Sequence, residues 1–155
     1  MLFLHKNSDM IQRIQSLLLL LAAGTYGSFF GLPLMTSDTI AEGFLSDQSF
    51  EIQDHIALIA LALTGGALAF LAIFLFKNRR LQLILSYLSL IIGLLAIPGV
   101  GYFLLSAELR EQMLFSAMNV GAGMFLPLVI AILILWAISK IKKDDKLVRS
   151  MDRLR

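Results

Sequence analysis

The chain has no cysteine, two histidines and three prolines among 155 residues, and only 15% of its residues are charged. Each shortage removes a class of protein. Without thiols there is no disulfide framework, thiolate zinc site, iron–sulfur cluster or lipid attached through Cys. A water-soluble domain covers its core with about 25% charged residues, so a chain that is 58% hydrophobic calls for another solvent. Charge is also missing where it would matter most. The long apolar runs hold no Asp, Glu, Lys, Arg or His well inside them. Ionisable groups at membrane depth are costly and usually mark ion paths or proton relays. Their absence argues against a proton-coupled transporter or pump, and against an intramembrane hydrolase working through His or Asp. No catalytic, cofactor-binding or metal-ligating constellation is expected, and the chain does not read as an enzyme.

What is present is four long apolar blocks, at about 14–35, 55–76, 81–105 and 120–138, followed by a charged tail at 140–155. Each block is about long enough to span a hydrocarbon layer of roughly 30 Å as a helix. The expected fold is all-α: a single integral membrane domain over 1–155, built as a four-helix transmembrane bundle with antiparallel neighbours. A signal peptide competes for the first block, since Lys6 and Arg13 precede it and Ala22-Ala23-Gly24 offers small residues for cleavage. Its uncharged stretch exceeds the roughly 7–15 residues of a signal core, which favours a retained span. The tetrapeptide Lys77-Asn78-Arg79-Arg80 separates the second and third blocks so briefly that it must be a tight turn.

Basic residues set the orientation, because short loops rich in Lys and Arg stay cytoplasmic during insertion. Lys6 and Arg13, then Lys77, Arg79 and Arg80, then Lys140, Lys142, Lys143, Lys146, Arg149, Arg153 and Arg155 lie on one face of a four-span topology, leaving Arg110 alone opposite. Both termini are therefore expected in the cytoplasm. The pI of about 9.1 is an average that hides this segregation and is not read as a sign of nucleic-acid binding.

In the outer connections, Thr39 and Glu42 stand at capping-box spacing, and Asp47 precedes a stretch that can extend the second helix outward. Ser106 can cap a turn in which Leu109, Met113 and Ala117 recur at helical spacing, which predicts an interfacial helix on the outer leaflet. Asp47, Glu51, Asp54 and His55 can share one helical face and hold a divalent cation, but a solvated helix end with acids near its amino terminus explains them more simply. Gly27 and Gly31 form a GxxxG expected to pack inside the bundle. Pro33, Pro98 and Pro127 fall toward the outer halves, where kinks can splay the helices into a shallow vestibule. Leu32-Pro33-Leu34 and Leu126-Pro127-Leu128 are a short internal match.

The tail carries the most pattern. Leu147, Val148, Met151 and Leu154 recur at helical spacing with Lys and Arg on the other faces, predicting a short basic amphipathic helix. Lys142, Lys143, Lys146, Leu147, Arg149, Met151, Arg153, Leu154 and Arg155 are the candidate lipid- or partner-binding residues. The partners expected are the bilayer itself and a membrane complex or cytoplasmic protein, with a homo-oligomer open and no nucleic acid. The function expected is that of a non-enzymatic accessory subunit, with a small oligomeric channel or transporter as the alternative.

Met10-Ile11-Gln12-Arg13-Ile14-Gln15 before the first span, Lys77-Asn78-Arg79 after the second, and the ending from Asp144-Asp145-Lys146-Leu147-Val148-Arg149 to Arg155 resemble a bacterial inner-membrane family, domain of unknown function 4293. The resemblance runs from Met10 onward and implies four spans and an inner-membrane location. It supplies no activity, cofactor or substrate. Relatives usually show Glu at Asp145 and begin at the position of Met10, which implies that Met1 to Asp9 reflect an upstream start. Orientation has a direct check: reporter fusions at Glu42, Asn78 and Arg155 should read outside, inside and inside, and an outside signal at Asn78 would reverse the topology.

Overall fold

The computed structural model describes residues 2–38, 43–112 and 118–152, with the backbone alone described at 2–13, 44, 108–112, 118, 149, 151 and 152. The first helix, α1, spans Leu2–Ser28, followed by the short strands β1 (Met35–Ser37) and β2 (Ser49–Phe50). Helix α2 (Ile56–Phe74) turns directly into α3 (Arg79–Ile91), and a π turn at Ile92–Ala96 joins α3 to α4 (Ile97–Gln112). Strand β3 (Met118–Val120) leads to the last helix, α5 (Leu126–Asp152). Four helices are long and apolar enough to cross a membrane, with spans at Ile14–Gly31, Ile56–Phe74, Arg79–Ala107 and Ala122–Val148. The molecule is a multi-pass four-helix bundle: α1 packs on α2 and α5, and α3 packs on the same two neighbours.

Each helix buries one stripe at helical spacing. In α1 and the 3₁₀ turn after it, Phe29–Gly31, it is Gln15, Leu18, Leu19, Ala22, Tyr26 and Phe29; in α2 it is Leu58, Ala62, Gly65, Ala69 and Ala72. The third helix is reversed relative to a soluble one. Its buried stripe is Gln82, Ser86 and Ser89, while Leu81, Ile84, Leu88 and Ile91 are exposed. In lipid, leucine gains nothing by leaving the solvent, so small and hydrogen-bonding side chains take the interior.

At mid-bundle Tyr26 reaches across from α1. Its hydroxyl donates to the Ser89 carbonyl, and the Ser89 hydroxyl donates to the Gly65 carbonyl at 2.9 Å. Three glycines make the space. A Cβ at Gly66 would stand 3.1 Å from the Tyr26 Cβ, and one at Gly93 would stand 2.7 Å from Ile130 Cγ2; a Cβ at Gly65 would collide with the Tyr26 ring. Gly93 lies in the π turn, whose wider hydrogen-bonding loop carries the Ile97 N–H back to the Ile92 carbonyl. This break admits Pro98, which cannot donate to the helix ladder.

The ends opposite the α2–α3 turn are closed by a three-stranded antiparallel sheet in the order β2-β1-β3. Composition gave no sign of it, because each strand is only two or three residues long. Its close fit depends on Gly121 and Gly123, whose N–H groups donate to the Leu34 and Pro33 carbonyls at 3.1 and 2.8 Å, at positions where a Cβ would strike the backbone of Leu32, Pro33 and Leu34 just before β1.

Several local expectations are corrected. Gly24, Gly27 and Gly31 are exposed with nothing near an added Cβ, so the GxxxG faces outward and does not pack inside the bundle. Ser106 lies within α4, its hydroxyl bonded to the Phe103 carbonyl at 3.0 Å. Helix α4 therefore runs on to Gln112, past the end of the third span at Ala107, and no new helix begins at Ser106; Met113 and Ala117 of the expected interfacial helix lie outside the described residues. The second helix does not extend out to Asp47; β2 and a 3₁₀ turn at Ile52–Asp54 intervene. Pro33 sits in an extended connection and Pro127 in the first turn of α5, so the two Leu-Pro-Leu segments adopt different conformations, and only Pro98 accompanies a helix break. That break borders a small apolar pocket of about 60 Å³ between Leu34, Phe50, Ile97, Pro98, Tyr102 and Pro127. Thr39 and Glu42 lie outside the described residues.

The centre gives a paired prediction. Gly93→Val should destabilise the detergent-purified protein by about 1–3 kcal/mol through overpacking, whereas Gly27→Ala should leave it unchanged or slightly more stable. Unfolding by a denaturing detergent, followed by circular dichroism, reads both.

Candidate functional site at the basic end

The α2–α3 turn follows from its residues. After Phe74 the Leu75 N–H closes on the Ala72 carbonyl at 3.3 Å, and the Asn78 N–H donates to the Leu75 carbonyl at 2.9 Å. Asn78 then caps the next helix, its side-chain oxygen accepting from the Leu81 N–H at 3.3 Å. Asn is a preferred residue at this position because its short side chain satisfies an otherwise orphan donor. The cap points Arg79 inward, and its guanidinium meets the Asp144 carboxylate at 2.9 Å.

Asp144 is buried, its side chain 8% exposed against 22% for Arg79. A carboxylate shielded this far is tolerated only with a partner, so the pair ties the α2–α3 turn to the last helix. Along α5 the buried stripe Ile130, Ile134, Ala137, Ile138, Ile141 and Asp144 continues without interruption past Ser139, where the uncharged run ends. The expected tail helix is thus the end of α5 itself. A second contact adds to the first: Lys142 Nζ lies 5.3 Å from the centre of the Tyr87 ring, a cation–π geometry worth about 0.5–1 kcal/mol at exposed sites.

The predicted tail residues divide into three groups. Lys142, Lys143, Lys146 and Leu147 stand exposed on one side of α5, with Leu147 47% accessible. Val148 is half-buried toward the turn, and together with Phe76, Lys77, Asn78, Arg79, Arg80 and Asp145 it lines an open depression. The backbone of Arg149 and Met151 continues the helix, and Arg153, Leu154 and Arg155 lie outside the described residues. Sequence periodicity placed Leu147 and Val148 on one apolar stripe. In the bundle the stripe is rotated, because Asp144 occupies the inward position that hydrophobicity alone would deny it. A third polar residue was missed: Gln15 is 2% exposed, and its Nε2 has no hydrogen-bond partner among the described residues.

The acidic cluster at the opposite end is accounted for by chain ends. Asp47 Oδ1 accepts from the Ser49 N–H at 3.2 Å, Asp54 Oδ2 from the Glu51 N–H at 2.6 Å, and His55 Nδ1 from the Ala57 N–H at 3.1 Å as the cap of α2. Burial pushes the Asp54 carboxyl above its usual range; the bond from Glu51 lowers it, and the nearby Asp47 and Glu51 charges raise it again. These residues do not share one helical face, and among the described residues no three acids or histidines converge on a metal position.

A model of the family described as Domain of unknown function (DUF4293) matches residues 11–154. No curated protein and no solved structure matches the chain.

The ion pair yields a cycle. Asp144→Asn alone should cost about 1–3 kcal/mol by leaving a charge unpaired, and Arg79→Gln combined with Asp144→Asn should cost less than the two single changes added together. Equal and additive losses in a detergent unfolding titration would show that the pair does not hold the tail.

Proposed function

The chain belongs to the DUF4293 family, whose description names no activity, and from that premise we propose that it is a non-enzymatic accessory subunit presenting a basic helix to a protein partner. The proposal places it in a bacterial inner membrane with both termini in the cytoplasm. The observation that carries it is the continuity of α5, 27 residues from Leu126 to Asp152 in one helix.

Continuity favours protein over lipid as the occupant of the tail. A helix lying on headgroups would bend where it leaves the bilayer. This one continues as one helix, and the eight residues beyond Asp144, which meets Arg79 at headgroup level, carry it about 12 Å further at 1.5 Å per residue. The headgroup layer is about 5–8 Å deep on each side and ionic screening acts over about 8 Å, so lipid phosphates reach the first turn past Asp144 while the end of α5 stands clear of them. Lys143, Lys146 and Leu147 on the exposed side of α5 combine cations with an apolar residue, which suits a protein with an acidic and partly apolar surface better than headgroups alone. The anchor at Arg79 and Asp144 keeps that surface in one orientation, so little ordering entropy is lost on docking.

An oligomeric channel is the second reading, favoured by the outward position of Gly24, Gly27 and Gly31, where a second copy can approach closely. The proposed role is checked by crosslinking in native membranes with identification of the captured species. Lys143→Glu with Lys146→Glu should abolish capture of an acidic partner while abundance stays unchanged. Recovery of self-contacts alone, in parent and variant alike, would refute the accessory role.

A further inference from the structure

The depression beside the tail is separate from the exposed face of α5 and has its own chemistry. Its walls are Lys77, Arg79 and Arg80 from the α2–α3 turn, Asp145 and Val148 from α5, and Phe76 at its edge. We propose that this depression binds one phosphodiester, supplied by the headgroup of an anionic membrane lipid.

Depth points to the ligand. The apolar spans on either side end at Phe74 and begin at Arg79, so residues 76 to 80 stand where hydrocarbon gives way to headgroups. Phe74 and Phe76, 63% and 42% exposed, stand at that boundary, and Lys77, Arg79 and Arg80 line the recess beside Phe76. Every lipid of the adjacent leaflet carries its phosphate at this level. Basic recesses between helices are a recurrent solution for holding such groups.

Charge sets the valence. The three cations are opposed by two carboxylates, Asp144 on Arg79 and Asp145 in the wall, leaving one positive charge. That matches a phosphodiester, which carries a single negative charge, better than a phosphomonoester, which carries nearly two at neutral pH. Preorganisation separates the recess from a loose set of surface lysines. Arg79 is held at 2.9 Å by Asp144, and a guanidinium has five N–H donors in a fixed plane, so donors remain for a phosphate oxygen. Lys77 and Arg80 are exposed and close around an anion without disturbing the fold.

The test uses the full chain in detergent, with native mass spectrometry counting retained dioleoyl phosphatidylglycerol against dioleoyl phosphatidylcholine. Two variants remove equal charge: Lys77→Gln with Arg80→Gln in the recess, and Lys143→Gln with Lys146→Gln on the tail. The expected result is preferential retention of phosphatidylglycerol, weakened at least about tenfold in the recess variant and less than about twofold in the tail variant. Titration calorimetry of the delipidated protein with inorganic phosphate separates the sources. Heat lost in the recess variant, with no preference between the two lipids, would assign the site to free phosphate and overturn the lipid headgroup as the ligand. Equal weakening by both variants would show a diffuse surface field, and no weakening by either would show that the recess holds no phosphate; both overturn the proposal. Circular dichroism of the variants confirms the fold. Because partner capture is read on the exposed face of α5, this site can fail while the tail proposal stands, and the reverse.

Discussion

The bundle depends on one side chain crossing it. Tyr26 fills the space that Gly65, Gly66 and Gly93 leave empty and ends on the Ser89 carbonyl, so three spans meet around a single ring. In a hydrocarbon solvent, burying leucine supplies no drive to associate, and helices are held by close backbone approach and by polar groups with no water to turn to. The reversed face of α3 follows from the same constraint. Gln82, Ser86 and Ser89 go inside because outside them there is only lipid. The π turn at Ile92–Ala96 accommodates both the close approach of Gly93 to the ring and the missing donor of Pro98.

From that centre the two ends of the molecule differ in kind. At one end the helices are tied by backbone hydrogen bonds of a small sheet, which needs glycine at 121 and 123 but little from side-chain chemistry. At the other they are tied by Arg79 and Asp144, charges that can be held only where the hydrocarbon stops. The functional surfaces follow the second kind of tie, since a charge network at a boundary can present leftover cations outward and a sealed sheet cannot. The proposed recess and the proposed tail surface both adjoin this anchor, one between the turn and the last helix and one on that helix's exposed side.

The number, length and placement of the spans were readable because apolar runs are long-range features of composition. Lys77-Asn78-Arg79-Arg80 announced its turn, and the helical pattern of the tail was correctly seen. What could not be read is what depends on which face meets which neighbour. Gly27 and Gly31 carry a packing motif and point to lipid, whereas Gly65, Gly66 and Gly93 carry no such spacing and line the core. Asp144 looked like one more charge in a charged tail; only the proximity of Arg79, 65 positions earlier in the chain, makes it an inward residue and rotates the apolar stripe away from Leu147. The acids around Asp54 read more simply as a helix end than as a cation site, but the chain is not helical there and they accept from turn and cap N–H groups instead. The strands were invisible because two or three residues carry no period.

The strand order has a consequence for the making of the molecule. β1 is the middle strand, paired on one side with β2, which follows it in the same connection before the second span, and on the other with β3, which is synthesised only after two further spans. One edge of β1 therefore stays open through most of translation and is closed by the segment that immediately precedes the last helix. A chain that stalls or loses its fourth span keeps an unpaired strand edge on the membrane surface, the kind of exposed template that invites wrong pairing and degradation. The sheet can close only after the third span is made, next to the start of the helix whose far end brings Asp144 to Arg79.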